Sequence, residues 1–486
     1  MRPFFENNRS VPVFAIARRR WSAQNGYREV LVVGLPLVAS LGAATVMQFT
    51  DRIFLSRYSM DSIAAVVPAW TAWFTLLAFF FGICVYTNVF VAQYTGARQP
   101  GRVGAALWQG VYVALGAGLV MGACAFVAEP LFHMVGHPPN VAAQEATYFR
   151  ILCLGAVFVL LMETFSCFYS GRGITRPVMV ANMAGAALNI PLDYALIFGW
   201  GPFPELGIAG AAIASVCAAA FTAGLFGWWI FTRHNEKQYA VRSAWRPDRI
   251  LLARLVRFGL PGGVEFFLEI SAITFFIFIV GRIGTVELAA SNIVFAVNTL
   301  GFLPMVGLHI AVSSLVGQAV GRGEPEDGAQ ATGSALHMAL LWSLAMIAIY
   351  IFAPRVIMDW FRPIGTSDAE WAAIVSMGVV LLRFVALYCL FDTVAVIYFG
   401  ALKGAGDILF VMRAIGTIAV FGLAIPAWLV LEVLHAGLIA AWIVVSVYVV
   451  LLGAAGWLRF RQGGWRSMRV IESAPVEEPS SGTPSG

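Results

Sequence analysis

Residues 34–57, GLPLVASLGAATVMQFTDRIFLSR, and residues 259–282, GLPGGVEFFLEISAITFFIFIVGR, are two versions of one segment. Each opens on Gly-Leu-Pro, stays largely apolar for about the length of a bilayer-crossing helix and closes on an arginine, and the second begins 225 residues after the first. The same offset relates Ala64-Ala65 to Ala289-Ala290, Gly82 to Gly307, Gln93 to Gln318 and Gly96 to Gly321. Register kept over that distance marks a duplication, so the chain reads as two related halves.

What surrounds these segments is of the same kind. Of 486 residues, 60% are apolar and 12% charged, and the mean hydropathy is +0.80. A soluble surface needs more charge than that. Apolar runs suited to spanning helices fall at 30–50, 62–92, 103–127, 150–170, 177–199 and 206–231, and again at 253–280, 286–317, 333–353, 384–402, 408–431 and 437–458. Barrel strands would alternate and be about half as long. The expected fold is an all-α membrane protein of about twelve transmembrane helices in two six-helix parallel repeats, because an even number of spans per half makes both copies enter from the same side.

The division that follows is a segment 1–29, an N-lobe 30–231, a polar linker 232–252, a C-lobe 253–470 and a tail 471–486 rich in Glu, Pro, Ser and Gly. Neither linker nor tail is given a core role, and the tail reads as disordered. Most Lys and Arg, Lys403 among them, fall on the side of the termini, leaving Arg52, Arg57, Arg282, Arg355 and Arg362 on the other. The bias places both termini in the cytoplasm, and the net charge of +5 calls for no nucleic acid. No removable signal peptide is expected, since no short apolar stretch with a small-residue cleavage site precedes the first span. The six cysteines lie in apolar spans without CxxC spacing and read as small core residues.

Ionisable groups at membrane depth are expensive and mark candidate functional sites. Asp51, Glu163, Asp193, Glu265, Glu269 and Asp392 qualify. At about 1.5 Å per residue, Asp193 and Glu269 lie roughly 24 Å from the cytoplasmic face and Asp392 roughly 12 Å from the outer face. Asn189 and Asp193, Glu265 and Glu269, and Tyr388 and Asp392 are each four apart, so each pair shares a helix face. A carboxylate beside an amide or phenol oxygen can ligate sodium, or hold a proton where burial disfavours the charged form. Each pair suits ion coupling or a buried polar knot, and depth favours the first. Asp51 reads as an interfacial acid paired with Arg52 or Arg57, unless its helix runs on through Tyr58 and carries it deeper. Glu163 is a structural acid or a substrate contact. Asn88, Asn292 and Asn298 line a cavity or bond helices together, and His309 reads as a packed, hydrogen-bonded residue.

In order along the chain, GLPLVASLGAATVMQFTDRIFLSRY (34–58), VAQYTGA (91–97), YSGRGITRP (169–177), ALNIPLDYALIFG (187–199), RFGLPGGVEFFLEI (257–270), ELAASN (287–292), LVGQAVGRG (315–323), ALYCLFDTV (386–394) and GALKGAGD (400–407) resemble the multidrug and toxic compound extrusion (MATE) family, in its NorM-like bacterial branch. The resemblance implies an N-lobe cation site at Asp51, Asn189 and Asp193 with a hydroxyl from the sixth helix, here Ser215. It implies a C-lobe site at Glu269, Tyr388 and Asp392, to which Glu265 adds an acid one turn earlier. It also implies an antiporter of the bacterial inner membrane, exchanging amphipathic and often cationic organic compounds for H+ or Na+ by alternating access around a central cavity. No other cofactor is expected, and a single chain, surrounded by membrane lipid, is expected to suffice.

A phosphate-cradling GxxxxGK[ST] loop does not occur, so no nucleotide partner is expected. A lipid-linked oligosaccharide flippase of the same superfamily is the nearest alternative; it needs cavity cations for pyrophosphate, where these spans offer acids. An intramembrane lipid-modifying enzyme is more distant, since neither HExxH nor GxSxG is present.

Overall fold

The computed structural model describes residues 20–362 and 367–472. Twelve helices are long and apolar enough to cross a membrane. In the N-lobe they are α1 (Tyr27–Tyr58), α2 (Met60–Gly96), α3 (Pro100–Val135), α4 (Pro139–Ser170), α5 (Arg176–Phe198) and α6 (Ile208–Ile230). In the C-lobe they are α7 (Arg249–Val280), α8 (Thr285–Arg322), α9 (Pro325–Phe352), α10 (Asp368–Ala405), α11 (Ile408–Val433) and α12 (Gly437–Gln462). Several exceed the hydropathy-based spans: α10 begins at Asp368, capped by the Ser367 hydroxyl, and α1 does run on through Tyr58. Pro36 interrupts α1 without breaking it. A proline leaves the carbonyl four residues earlier unbonded; here the buried Thr175 hydroxyl donates to Val33 O at 2.7 Å and Val32 O at 3.4 Å.

The two halves repeat the same helix pairings. α1 packs on α5 as α7 does on α11, α2 on α4 as α8 on α10, and α4 on α6 as α10 on α12. Across the lobes α1 lies along α8 and α2 along α7. The buried apolar side chains form three clusters. One draws only on residues between Leu55 and Ala212, and another only on residues between Ala272 and Val449. The third takes residues from both lobes, including Val33, Phe90, Leu255, Val316 and Leu402. The lobes are therefore fused at the end that holds the termini and keep separate cores toward the other.

Glycines make the seam. A Cβ on Gly96 would strike the Gln318 carbonyl, and a Cβ on Gly321 would strike the Gln93 carbonyl, the two contacts being exchanged by the repeat. The segments leading into each lobe are pinned reciprocally too. Arg20 and Tyr27 meet His337 of α9 at 3.1 and 2.9 Å, while Tyr112 of α3, 225 positions before His337, donates to the Trp245 carbonyl.

Linker and tail carry more structure than their composition implies. Val241 and Leu251 are fully buried in the shared core, and the Trp108 indole donates to Val241 O at 2.7 Å. Val470 and Ile471 are buried, and the Val470 amide donates to Gln93 Oε1 at 2.9 Å. Glu472 accepts from Tyr94 at 2.7 Å and pairs with Arg102 of the N-lobe at 3.1 Å and Arg254 of the C-lobe at 3.6 Å. The linker and the start of the tail thus do have a packing role, because the seam leaves apolar surface that they cover. Residues 473–486 and 1–19 lie outside the described residues. All six cysteines are free; Cys217 is exposed where a core position was expected.

Partial burial pushes the Glu472 carboxyl up, but the Tyr94 hydroxyl and the Arg102 and Arg254 guanidiniums outweigh it and hold its pKa below the ordinary value. Its clamp is then fully present above about pH 4.3 and is lost only as the pH falls through the depressed folded value. Gly96→Leu is expected to wedge the seam apart, lengthening the α2–α8 distance at this end in spin-pair measurements while the protein still inserts; an unchanged distance would contradict the glycine contact.

Candidate cation and substrate sites

In the N-lobe, α1, α5 and α6 bring Asp51, Asn189, Asp193 and Ser215 together. Asn189 and Asp193 have no exposed surface and Asp51 is 7% exposed. The Ser215 hydroxyl donates to Asp51 Oδ2 at 3.5 Å, and the Asp51 and Asp193 carboxyls face each other within interaction range. Five buried polar atoms here, Asp51 Oδ1, both side-chain heteroatoms of Asn189 and both carboxyl oxygens of Asp193, have no hydrogen-bond partner. Asp51 is thus not the interfacial acid held by Arg52 or Arg57 that its position in the sequence allowed. Unbonded buried polar groups cost about 1–3 kcal/mol each, and two facing carboxylates repel. A proton or a hard cation bound among these oxygens relieves both penalties. Among the described residues no three His, Cys, Asp or Glu side chains gather as a metal cage; the oxygens present suit a monovalent cation.

Beside this cluster a cavity of ≈ 390 Å³ opens, walled by α1, α2, α4, α5 and α6. Ser40, Gln48 and Asp51, the rings of Trp70, Trp73, Phe74 and Tyr148, and Glu163, Asn182 and Thr222 line it. Glu163 therefore faces a cavity. The cavity lies within the N-lobe and is not itself the central cavity expected between the lobes; where the lobes meet, Phe266 of α7 packs against Phe74 and Phe81 of α2. Two lining groups escaped the sequence reading: Trp73 Nε1 and Asn182 Oδ1 are buried without partners, Asn182 already donating to Ser40 Oγ at 2.6 Å. Nothing in a single sequence distinguishes such a tryptophan from an interfacial one.

In the C-lobe, Glu269 of α7 lies within electrostatic reach of Glu265, Lys403 and Asp392. Tyr388 neighbours Asp392, and Tyr448 of α12, which the sequence reading missed, neighbours Glu265, Glu269 and Asp392. Lys403 departs most from expectation. Counted with the loop cations, it instead turns its ammonium onto Glu265 Oε2 at 2.8 Å, because the last turn of α10 points it at an acid whose side chain is 3% exposed.

The asparagines do not form a site. Asn88 donates to Ser314 at 3.0 Å and accepts from Ser170 at 2.7 Å, a bond across the seam and away from the cavity. Asn292 is exposed and Asn298 half-buried on α8. His309 is packed, its Nδ1 2.8 Å from Val396 O.

Two lobes of spanning helices, each with an acidic cluster, define a polytopic membrane protein of a duplicated type. A family model described as MatE matches twice, over residues 36–195 and 261–428, its two arms starting at Pro36 and Pro261, and the chain belongs to the MatE family. The chain is 29% identical over 384 residues to "Multidrug resistance protein PmpM" of Pseudomonas aeruginosa, covering 78% of this chain and 79% of that one. It is 25% identical over 457 residues to "Probable multidrug resistance protein NorM" of Thermotoga maritima, with 93% and 96% covered. Among solved structures it shares its fold with "Outward-facing conformation of a multidrug resistance MATE family transporter of the MOP superfamily", at a TM-score of 0.82, 20% identity and coverage of 92% and 98%.

Asn189→Leu removes two unbonded polar atoms from a fully buried position. It is expected to raise thermal stability by about 1–3 kcal/mol in the absence of added cation while abolishing stabilisation by cations in a melting assay; a destabilised variant that still responds to cation would contradict the site.

Proposed function

We propose that this chain exports amphipathic, often cationic organic compounds from the bacterial cytoplasm across the inner membrane, in exchange for H+ or Na+. The observation that carries this reading is the set of unbonded carboxyl and amide atoms at Asp51, Asn189 and Asp193, placed against an aromatic cavity that itself contains Asp51 and Glu163. Asp51 belongs to both. A cation arriving at the cluster competes for the same carboxylate that attracts a positively charged cargo, which is the exchange an antiporter needs. Rings of Trp70, Trp73, Phe74 and Tyr148 suit flat apolar bodies, and the Trp73 N–H and Asn182 carbonyl offer one donor and one acceptor. The names of the multidrug resistance relatives agree with such cargo.

With the termini in the cytoplasm, the seam lies at the inner end and the separate cores of the two lobes toward the outside. Each charge moving down about 100 mV releases roughly 2.3 kcal/mol, enough to bias reclosure once the carboxylates are neutralised. The flippase alternative gains no support from Lys403, whose ammonium is committed to Glu265.

In proteoliposomes given separate pH or sodium gradients, wild-type protein is expected to move ethidium against its gradient under at least one of the two. Asp193→Asn and Asp392→Asn are each expected to slow this by about tenfold or more, equivalent to ~1.4 kcal/mol, at equal reconstitution. Wild-type rates in both variants would remove the basis for the reading.

A further inference from the structure

Lysines at the ends of spanning helices ordinarily extend toward headgroups and water. Lys403 does the reverse. It sits in the last turn of α10, just before the helix ends at Gly406 in a left-handed conformation, φ 110°. Its Nζ contacts Glu265 within a compartment that also holds Glu269 of α7 and Asp392 of α10. Tyr448 of α12 lies within electrostatic reach of the three acids and His309 of α8 within that of Lys403, and Asp407 in the following turn is already paired with Arg459 at 2.6 Å. Three acids and one base therefore share the C-lobe interior. The backbone around Lys403 is tied elsewhere: its carbonyl accepts from Tyr86 of α2 at 3.5 Å, and the Gly404 and Ala405 carbonyls accept from Gln93 at 3.1 and 3.2 Å.

We propose that Lys403 is a tethered counter-cation that fixes the exchangeable charge of the C-lobe site, so that Glu269 and Asp392 remain available to the coupling ion while Glu265 does not. The inference rests on the ion-coupled reading above and deepens it. Its basis is charge arithmetic on groups held together by the fold. With Lys403 in place, one acid is permanently answered and an incoming cation meets a repelling ammonium beside the attracting carboxylates. Without it, a third carboxylate becomes free to bind. Because the peptide groups at 403–405 are gripped by Tyr86 and Gln93 of the other lobe, whatever shifts the ammonium also bears on the seam. Lys403 is thus a positioning residue, acting through Glu265 on the ion site.

The test uses full-length protein in proteoliposomes, measuring ethidium efflux against sodium concentration at fixed pH and against pH at fixed sodium. Lys403→Gln is expected to lower the half-saturating cation concentration on the order of tenfold. Glu265→Gln leaves the ammonium unopposed and is expected to raise it by a similar factor. In the double variant, which keeps the wild-type sum of charges, the value returns toward wild type, and Lys403→Arg stays near it. A merely structural ion pair would move both single variants the same way, or move the rate and not the half-saturation; either result overturns the proposal. If Lys403→Gln does not reconstitute, the Glu265→Gln shift alone decides, and a fall or no change there overturns it. Wild-type efflux that responds to neither gradient would instead overturn the antiport reading from which the proposal starts.

Discussion

Backbone meets backbone where Gly96 abuts Gln318 and Gly321 abuts Gln93, and the rest of the molecule is organised from that approach. In a bilayer, apolar side chains gain little by leaving lipid for one another, so close helix contact has to come from small residues and well-fitted surfaces. The glycines allow α2 and α8 to touch without intervening side chains, and Asn88, Gln93 and Gln318 add hydrogen bonds across the same plane. With that end fixed, the separate cores of the two lobes can stand apart at the other. Tightly packed backbone therefore joins the lobes at that end.

The two lobes share topology but not chemistry. The N-lobe keeps its acidic cluster unpaired, next to a cavity. In the C-lobe, Glu265 is answered by Lys403 and the remaining acids are surrounded by Tyr388 and Tyr448. Duplication supplied equivalent helices; in one half Lys403 answers Glu265, and among the described residues Asp51 and Asp193 of the other make no ion pair. Asp51 and Glu163 outnumber Arg52 among the charged groups that line the N-lobe cavity.

Much of this was legible before any coordinates. The 225-residue offset gave the halves, hydropathy gave the spans, and the four-residue spacing of Asn189 and Asp193 placed them on one face as found. Asp51 was harder, because depth depends on where α1 ends, and only the family resemblance placed it beside Asp193. Lys403 sits at a helix end, as its position implied, but its partner was not readable; its direction is set by the turn of α10 and by an acid on a different helix, which sequence spacing cannot express. Asn88 shows the opposite problem: an amide in a span is equally compatible with cavity and seam, and the choice depends on Ser170 and Ser314, far away in the chain. The linker looked solvated by composition, yet Val241 is buried beside Trp108 of α3 and Leu251 lies in the shared core.

Glu472 touches Tyr94 and Arg102 on one lobe and Arg254 on the other, and Asp248 at the end of the linker, which caps α7, reaches the same Arg102 at 2.9 Å. Linker and tail thus converge on one guanidinium. Because Arg102 is held by one acid from each segment, a substitution there would loosen two knots at once, where the loss of Arg254 would loosen one.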